Sequence, residues 1–244
     1  MRRLGFVLLL LFPLTAHAWT PASEERIAKK SAALAPPDLR LLIERFEGDY
    51  KEGLRRAQSE EGMAHRYVFA SRQGALRQRI ERETLGAIEA IRKGESMADV
   101  VARLGAIVHL VGDANNPFHV ANHDSRLAAS QADFERYFER RLLKFPTVFY
   151  GLDRRFRLGP YLDATFARSA KFYPLLGHEY FRAGVRRTSE SFDDRSTAFG
   201  VASISYSRTV SDVVNIYYYI WKEAGGDVRS AAAMRDGNII LHAY

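Results

Sequence analysis

The stretch LGAIVHLVGDANNPFHVANH, residues 104–123, decides how this chain is read. Its first eleven residues are apolar apart from His109 and Asp113, which stand four positions apart. Positions i and i+4 share one face of a helix, so these two side chains point together at one metal ion or one water. Ala102 and Ala106 fall on the same stripe, and their small side chains leave room beside it. Pro117 is expected to end the helix, and the turn through ANNPF can swing His119 back beside the pair. Imidazole nitrogen and carboxylate oxygen are the usual ligands of a hydrolytic zinc site. The alternative is a set of hydrogen-bonded polar residues buried near a helix end.

The flanking sequence reads as helix on both sides. Pro21 and Ser23 open ASEERIAKKSAALA, and PPDLRLLIERFEGDYKEGLRRA begins with prolines suited to a first turn. Leu39, Leu42, Ile43 and Phe46 then recur at helical spacing. RQGALRQRIERETLGAIEAIRKG offers Ile80, Leu85, Ile88 and Ile91 to a core and Gly94 as a stop. Ser96 is the expected N-cap of the helix that carries His109. QADFERYFERRLL is amphipathic, and ASISYSRTVSDVVNIYYYIWKEAGG reads as one long helix ending at glycines. Strand signals are confined to TVFYG and NIILHAY, and residues 144–160 form the loosest segment. The expected fold is all-α, a multi-helix bundle in one domain spanning residues 19–244.

Residues 1–18 carry a different signal. MRR is a basic leader, LGFVLLLLFPL an apolar run, and AHA at residues 16–18 a small-residue cleavage site, the pattern of an export signal. The apolar run is short for an uncleaved membrane anchor, the competing reading. The remainder is expected to be exported to the periplasm or medium, without a transmembrane segment. A chain of 244 residues with 47% hydrophobic and 27% charged residues can bury a substantial core. It contains no cysteine, so export does not serve disulfide formation. Loss of Arg2 and Arg3 would leave 34 basic against 29 acidic residues, an excess that favours anionic partners such as phospholipid headgroups, a membrane surface or nucleic acid. A solvated basic face is the simpler account of the same charge. No oligomeric state follows from the pattern.

With these residues in view, HLVGDANNPFH resembles the H-Y-x-G-D-x-x-Q-P-x-H signature of the zinc-dependent phospholipase C and single-strand-specific nuclease superfamily. That resemblance implies an α-helical phosphodiester hydrolase with as many as three zinc ions. It also implies a mature chain that starts at tryptophan, whose free amino group and carbonyl oxygen chelate one zinc. Cleavage after Ala18 would leave Trp19 in that place.

Carried over position by position, the resemblance assigns one zinc to Asp49, His65, His109 and Asp113, with Glu60 or Glu61 as substitutes for Asp49. His65 comes from MAHRYVF, which is similar to the family's HFYDP segment. A second zinc would take Trp19, the bridging Asp113 and Glu24, the last standing where the family has histidine. A third would need His119 and a His-x3-Glu or His-x3-Asp pair that SQADFERYFERRLL lacks. Asp133 and Tyr137 stand near the expected positions, Glu135 and Glu139 lie close by, and His123 with Asp124 can contribute. The metal count expected is therefore one to three.

By the same resemblance Asp113 positions the nucleophilic water and Asp49 is the general base. The absence of an aromatic nuclease-type loop after His123 tilts the reading towards a phospholipase C, with a nuclease-like phosphodiesterase or a noncatalytic zinc- or phosphate-binding protein as alternatives. His178 and His242 receive no role, and Tyr217, Tyr218, Tyr219 and Trp221 are read as interhelical packing.

Overall fold

The computed structural model describes residues 19–60, 62–232, 234 and 239–241. The expected leader, Glu61 and His242 lie outside the described residues. Among the described residues the chain is all-α apart from one two-stranded ribbon. Eleven α-helices follow in order: α1 Pro21–Ala33, α2 Pro37–Arg45, α3 Glu47–Gln58, α4 Leu76–Lys93, α5 Met97–Ala114, α6 Pro117–Val120, α7 Ser125–Ala128, α8 Gln131–Arg141, α9 Leu158–Ala170, α10 Phe172–Tyr180 and α11 Thr197–Glu223. β1 is Thr147–Phe149 and β2 is Ile239–Leu241; they pair antiparallel, so the two short strand signals meet each other.

Helix α5 is the axis of the molecule. Every residue from Leu104 to Ala114 is buried, as expected of a helix apolar all round. Helix α3 lies along it at a separation that only glycines permit. A Cβ on Gly53 would stand 1.8 Å from the Ala102 carbonyl oxygen, and one on Gly105 would stand 1.9 Å from that of Tyr50. Both contacts fall near the middle of α3 and of α5, and Gln58 at the end of α3 reaches His109 through Glu24, so the two helices run in the same direction. The 27-residue α11 packs against α1, α4, α5 and α10. Its Tyr217 hydroxyl meets the Leu104 carbonyl at 2.9 Å and the Tyr50 hydroxyl at 2.9 Å, which confirms its packing role.

The far end of α5 is pinned by a buried polar network. Asp212 of α11 accepts from Asn115, the C-cap of α5, at 2.9 Å, from Arg168 at 2.6 Å and from Tyr161 at 2.7 Å. A charge as buried as Asp212 survives only with partners of this kind.

Three expectations change. The proline-led stretch divides into α2 and α3 at Phe46, whose φ of −111° and ψ of 37° break the helix. Leu85 is 52% exposed rather than in the core, because α4 turns the face carrying Ile80, Ala87 and Ile88 inward. Pro117 does not terminate α5. The helix already stops at Ala114, and Pro117 opens α6, whose first turn is capped by Asn116 Oδ1 accepting from the Phe118 amide at 3.0 Å. No helix among the described residues is long and apolar enough to cross a membrane.

Candidate metal centre

His109 and Asp113 share the inward face of α5, with His109 Nε2 3.4 Å from Asp113 Oδ2. His65 reaches the same point from a 3-10 turn over Gly62–His65. The segment after that turn is stitched to the chain beyond α5: the Tyr67 amide donates to the His119 carbonyl at 3.1 Å and the Phe69 amide to that of Val120 at 3.0 Å. Gly74 closes the segment at φ +114°, where a Cβ would lie 2.0 Å from the Arg66 carbonyl oxygen. As a result His65 Nδ1 sits 2.8 Å from Asp113 Oδ2 and 3.0 Å from His109 Nε2. Among the described residues, His65, His109 and Asp113 form a buried group that could hold a metal ion.

The outer atoms of these rings decide what the inner ones can do. His65 Nε2 faces the Glu60 carbonyl oxygen, and His109 Nδ1 faces Glu24 Oε1 at 2.7 Å. Both oxygens only accept, so the outer nitrogens carry the hydrogens. In neutral rings the inner nitrogens are then bare lone pairs, converging with a carboxylate oxygen. Such a set of acceptors requires a cation, either a proton or a metal. Burial disfavours charge on His109, yet Asp113 and Glu24 outweigh it and push its pKa up to about 9. Burial likewise opposes charge on Asp113, but His109, His119 and His65 hold its carboxyl below the usual range. Asp113 Oδ1 is buried with no hydrogen-bond partner, an orphan that a cation would satisfy.

The spacing also fits. Ligands about 2.0–2.1 Å from a tetrahedral zinc stand about 3.3–3.4 Å apart, a few tenths wider than the shorter edges here. Hydrogen bonds from the outer nitrogens to a carboxylate and a carbonyl are the usual second support of metal-bound histidines.

Trp19 is buried beside the group. Its indole Nε1 donates to the Gly112 carbonyl at 3.1 Å, and its ring centroid lies 3.8 Å from that of Phe138, the planes tilted by 33°. A Cβ on Gly112 would come within 3.0 Å of the indole, so this glycine gives Trp19 its place next to Asp113. Glu24 is brought to the centre too, in a different capacity from the ligand expected. One of its oxygens orients His109 and the other accepts from Gln58 Nε2.

Other expected positions separate from the group. Asp49 is half-exposed on α3, because the stripe that faces α5 is Tyr50, Gly53, Leu54 and Ala57. The Glu60 carboxylate is taken by Arg79. His123 is exposed, its ring edge against Tyr173 at 4.8 Å, and Asp124 caps α7. His178 is exposed on α10.

His119 does return to the pair, its Nδ1 3.5 Å from Asp113 Oδ1 and 2.6 Å from the His65 carbonyl. Its other nitrogen meets an amide instead of open space: Gln131 Nε2 lies 3.0 Å away and also donates to Glu135 Oε1 at 2.8 Å. Burial moves His119 towards the neutral form, which suits that arrangement. Gln131 and Glu135 hold the i, i+4 spacing sought at Asp133 and Tyr137, two residues earlier in the chain. Asp133 instead accepts from the Tyr180 hydroxyl and the Ser189 amide, both at 2.8 Å. Gln131 stands at the first turn of α8, which sequence spacing alone did not supply.

No protein-family profile and no curated protein matches this sequence. Among solved structures, the crystal structure of Clostridium perfringens alpha-toxin from avian strain SWCP is similar, with a TM-score of 0.65 at 12% sequence identity. The similarity covers 84% of this chain and 64% of the toxin chain. At that identity the shared property is the fold, which agrees with the all-α architecture expected.

Proposed function

We propose that this protein is an exported, zinc-dependent phosphodiester hydrolase of the phospholipase C kind, acting on the headgroup phosphate of a phospholipid. The observation that carries this reading is the convergence of His65 Nδ1, His109 Nε2 and Asp113 Oδ2, with both outer ring nitrogens tied to acceptors. The fold shared with alpha-toxin and the HLVGDANNPFH stretch support it.

His65, His109 and Asp113 would hold the zinc, and Trp19 would add its backbone once the leader is removed. Bound zinc supplies Lewis-acid polarisation of the phosphate and lowers the pKa of a coordinated water. The protein's own contribution is positional and protonic. Glu24 and the Glu60 carbonyl fix the two imidazoles in one tautomer. Asp113 Oδ1, which accepts no hydrogen bond and lies 3.5 Å from His119 Nδ1, is the oxygen placed to orient a water and take its proton. Glu135, pushed up to about 8 mainly by burial, is largely protonated at neutral pH and can give a proton to the departing alkoxide. In this reading Asp49 gives up the base role.

Gln131 favours a second reading, a zinc-binding member with little or no turnover, because its amide fills the nitrogen of His119 that a further metal would need. One experiment separates the two. The purified chain is analysed for metal and for its N-terminal mass, then incubated with phosphatidylcholine, phosphatidylethanolamine and phosphatidylglycerol vesicles. Release of the phosphorylated headgroup, abolished by a chelator and restored by zinc, is the expected result. Stoichiometric zinc without release from any lipid, or from a single-stranded oligonucleotide, would establish the binding protein instead. Absence of bound zinc after zinc is supplied would refute both.

A further inference from the structure

A groove of 560 Å³ runs between the end of α3, the outer face of α4 and the first half of α5. Its floor includes Ala57, Ala102 and Ala106, and its walls carry Arg56, Arg79, Arg82 and Arg103. Ala102 and Ala106 precede His109 and Asp113 on the same helix, so the groove leads along α5 towards the candidate metal centre. Glu60 and Arg79 link the two. The Glu60 carbonyl oxygen accepts from His65 while its carboxylate is paired with Arg79.

Four arginines and four carboxylates among the described residues line the groove, but they do not pair one to one. Glu83 is held by Arg103 at 2.8 Å, and Arg82 approaches it only to 3.9 Å. Gly86 lets the Arg103 side chain lie close over α4, with a Cβ there 3.0 Å from the guanidinium. Glu95 and Asp99 are on the wall too, but at the outer end around the start of α5. Arg56 has no ion-pair partner within 4 Å among the described residues, and Arg79 Nε is buried without a hydrogen-bond partner. Burial, then the charges of Arg82 and Arg56, hold the Arg79 guanidinium below its usual range. Like charges set this close are relieved by an anion placed among them.

We propose that the inner end of this groove binds a phosphate group between Arg56, Arg79 and Arg82, next to the metal centre. Guanidinium forks match phosphate oxygens in geometry as well as charge. The arginines come from α3 and α4, two helices whose spacing is set by their common packing on α5. The site is therefore preformed. The role of the bound phosphate, as part of a lipid headgroup or as a released product, rests on the hydrolase reading; its binding does not.

The test uses the full exported chain stripped of metal with a chelator and titrated calorimetrically at low salt. Inorganic phosphate is expected to bind with one saturable site, and the double variant Arg56→Ala/Arg82→Ala is expected to lose at least tenfold in affinity. Both side chains are exposed, and thermal melting confirms that the variant stays folded. A second titration with dihexanoyl phosphatidylglycerol below its micellar concentration separates the sources. Binding of the diester with the same loss in the variant identifies the headgroup; binding of inorganic phosphate alone identifies the product. No phosphate binding by the unaltered chain, or equal binding by the variant, would overturn the proposal. Because no zinc is present, failure of the hydrolase reading leaves this result untouched, and the reverse also holds.

Discussion

Zinc binding at this centre should expel a proton, and the number can be worked from the structure. In the metal-free protein the pull of Asp113 and Glu24 overcomes burial and places the pKa of His109 at about 9. A group with that pKa is about 97% protonated at pH 7.5, about half protonated at pH 9 and nearly neutral at pH 10.5. Metals take the neutral imidazole, so each zinc bound should release about one proton at pH 7.5 and close to none at pH 10.5. The sign follows: acid favours the proton-filled centre, and alkali favours zinc. Apparent affinity should rise about tenfold per unit between pH 7 and 8.5 and level off above pH 9. The assay is calorimetry of zinc binding at pH 7.5 in buffers with different ionisation enthalpies, where the slope of the observed heat counts protons. A slope near zero would mean that His109 is already neutral without metal, or that it is not a ligand. Either result would refute the argument that this site is built around a cation.

Three further outcomes test neighbouring parts of the reasoning. Gln131→His would replace the amide on His119 with a ring nitrogen next to Glu135, and elemental analysis should show about one additional zinc per chain; an unchanged count would show that geometry, not the amide, excludes it. Glu24→Ala removes the acceptor that orients His109 and should weaken zinc binding about 10–100-fold by competition with a chelating dye, while Glu24→Gln should recover part of the loss. Equal loss in both variants would show that negative charge, rather than orientation, is what Glu24 supplies. Gly105→Ala drives a methyl group to within 1.9 Å of the Tyr50 carbonyl oxygen and should cost at least about 2 kcal/mol in urea denaturation. An unchanged midpoint would contradict the tight α3–α5 contact.

Much of the fold was legible because its signals are local. Helical periodicity, the stop at Gly94 with φ +68° and the two short strand signals each depend on neighbours within a few residues. The same is true of His109 and Asp113, whose shared face is a property of any α-helix. Positions on separate helices were harder. Asp49 lies one residue before the buried Tyr50, and a helix turns about 100° per residue, so it is carried to the edge of the contact. On α8, Asp133 meets Tyr180 and Ser189 while Gln131, which bonds Glu135, meets His119, because a shift of two residues turns a side chain by about 200°.

By itself, then, the sequence determined an all-α chain, the His109/Asp113 pair on one face of its central helix and the return of His119 after the ANNPF turn, all consequences of short-range backbone geometry. Only the tertiary structure decided which distant residues complete the centre. His65 is 44 positions from His109 and Glu24 is 85, and both arrive because α1 and the segment after α3 pack against α5. Gln131 on His119, Glu60 on Arg79 and the arginine groove were decided in the same way. Side chains far apart in sequence meet according to how each helix is rotated about its own axis, and that rotation is set by the close glycine contacts and the core, not by any local pattern.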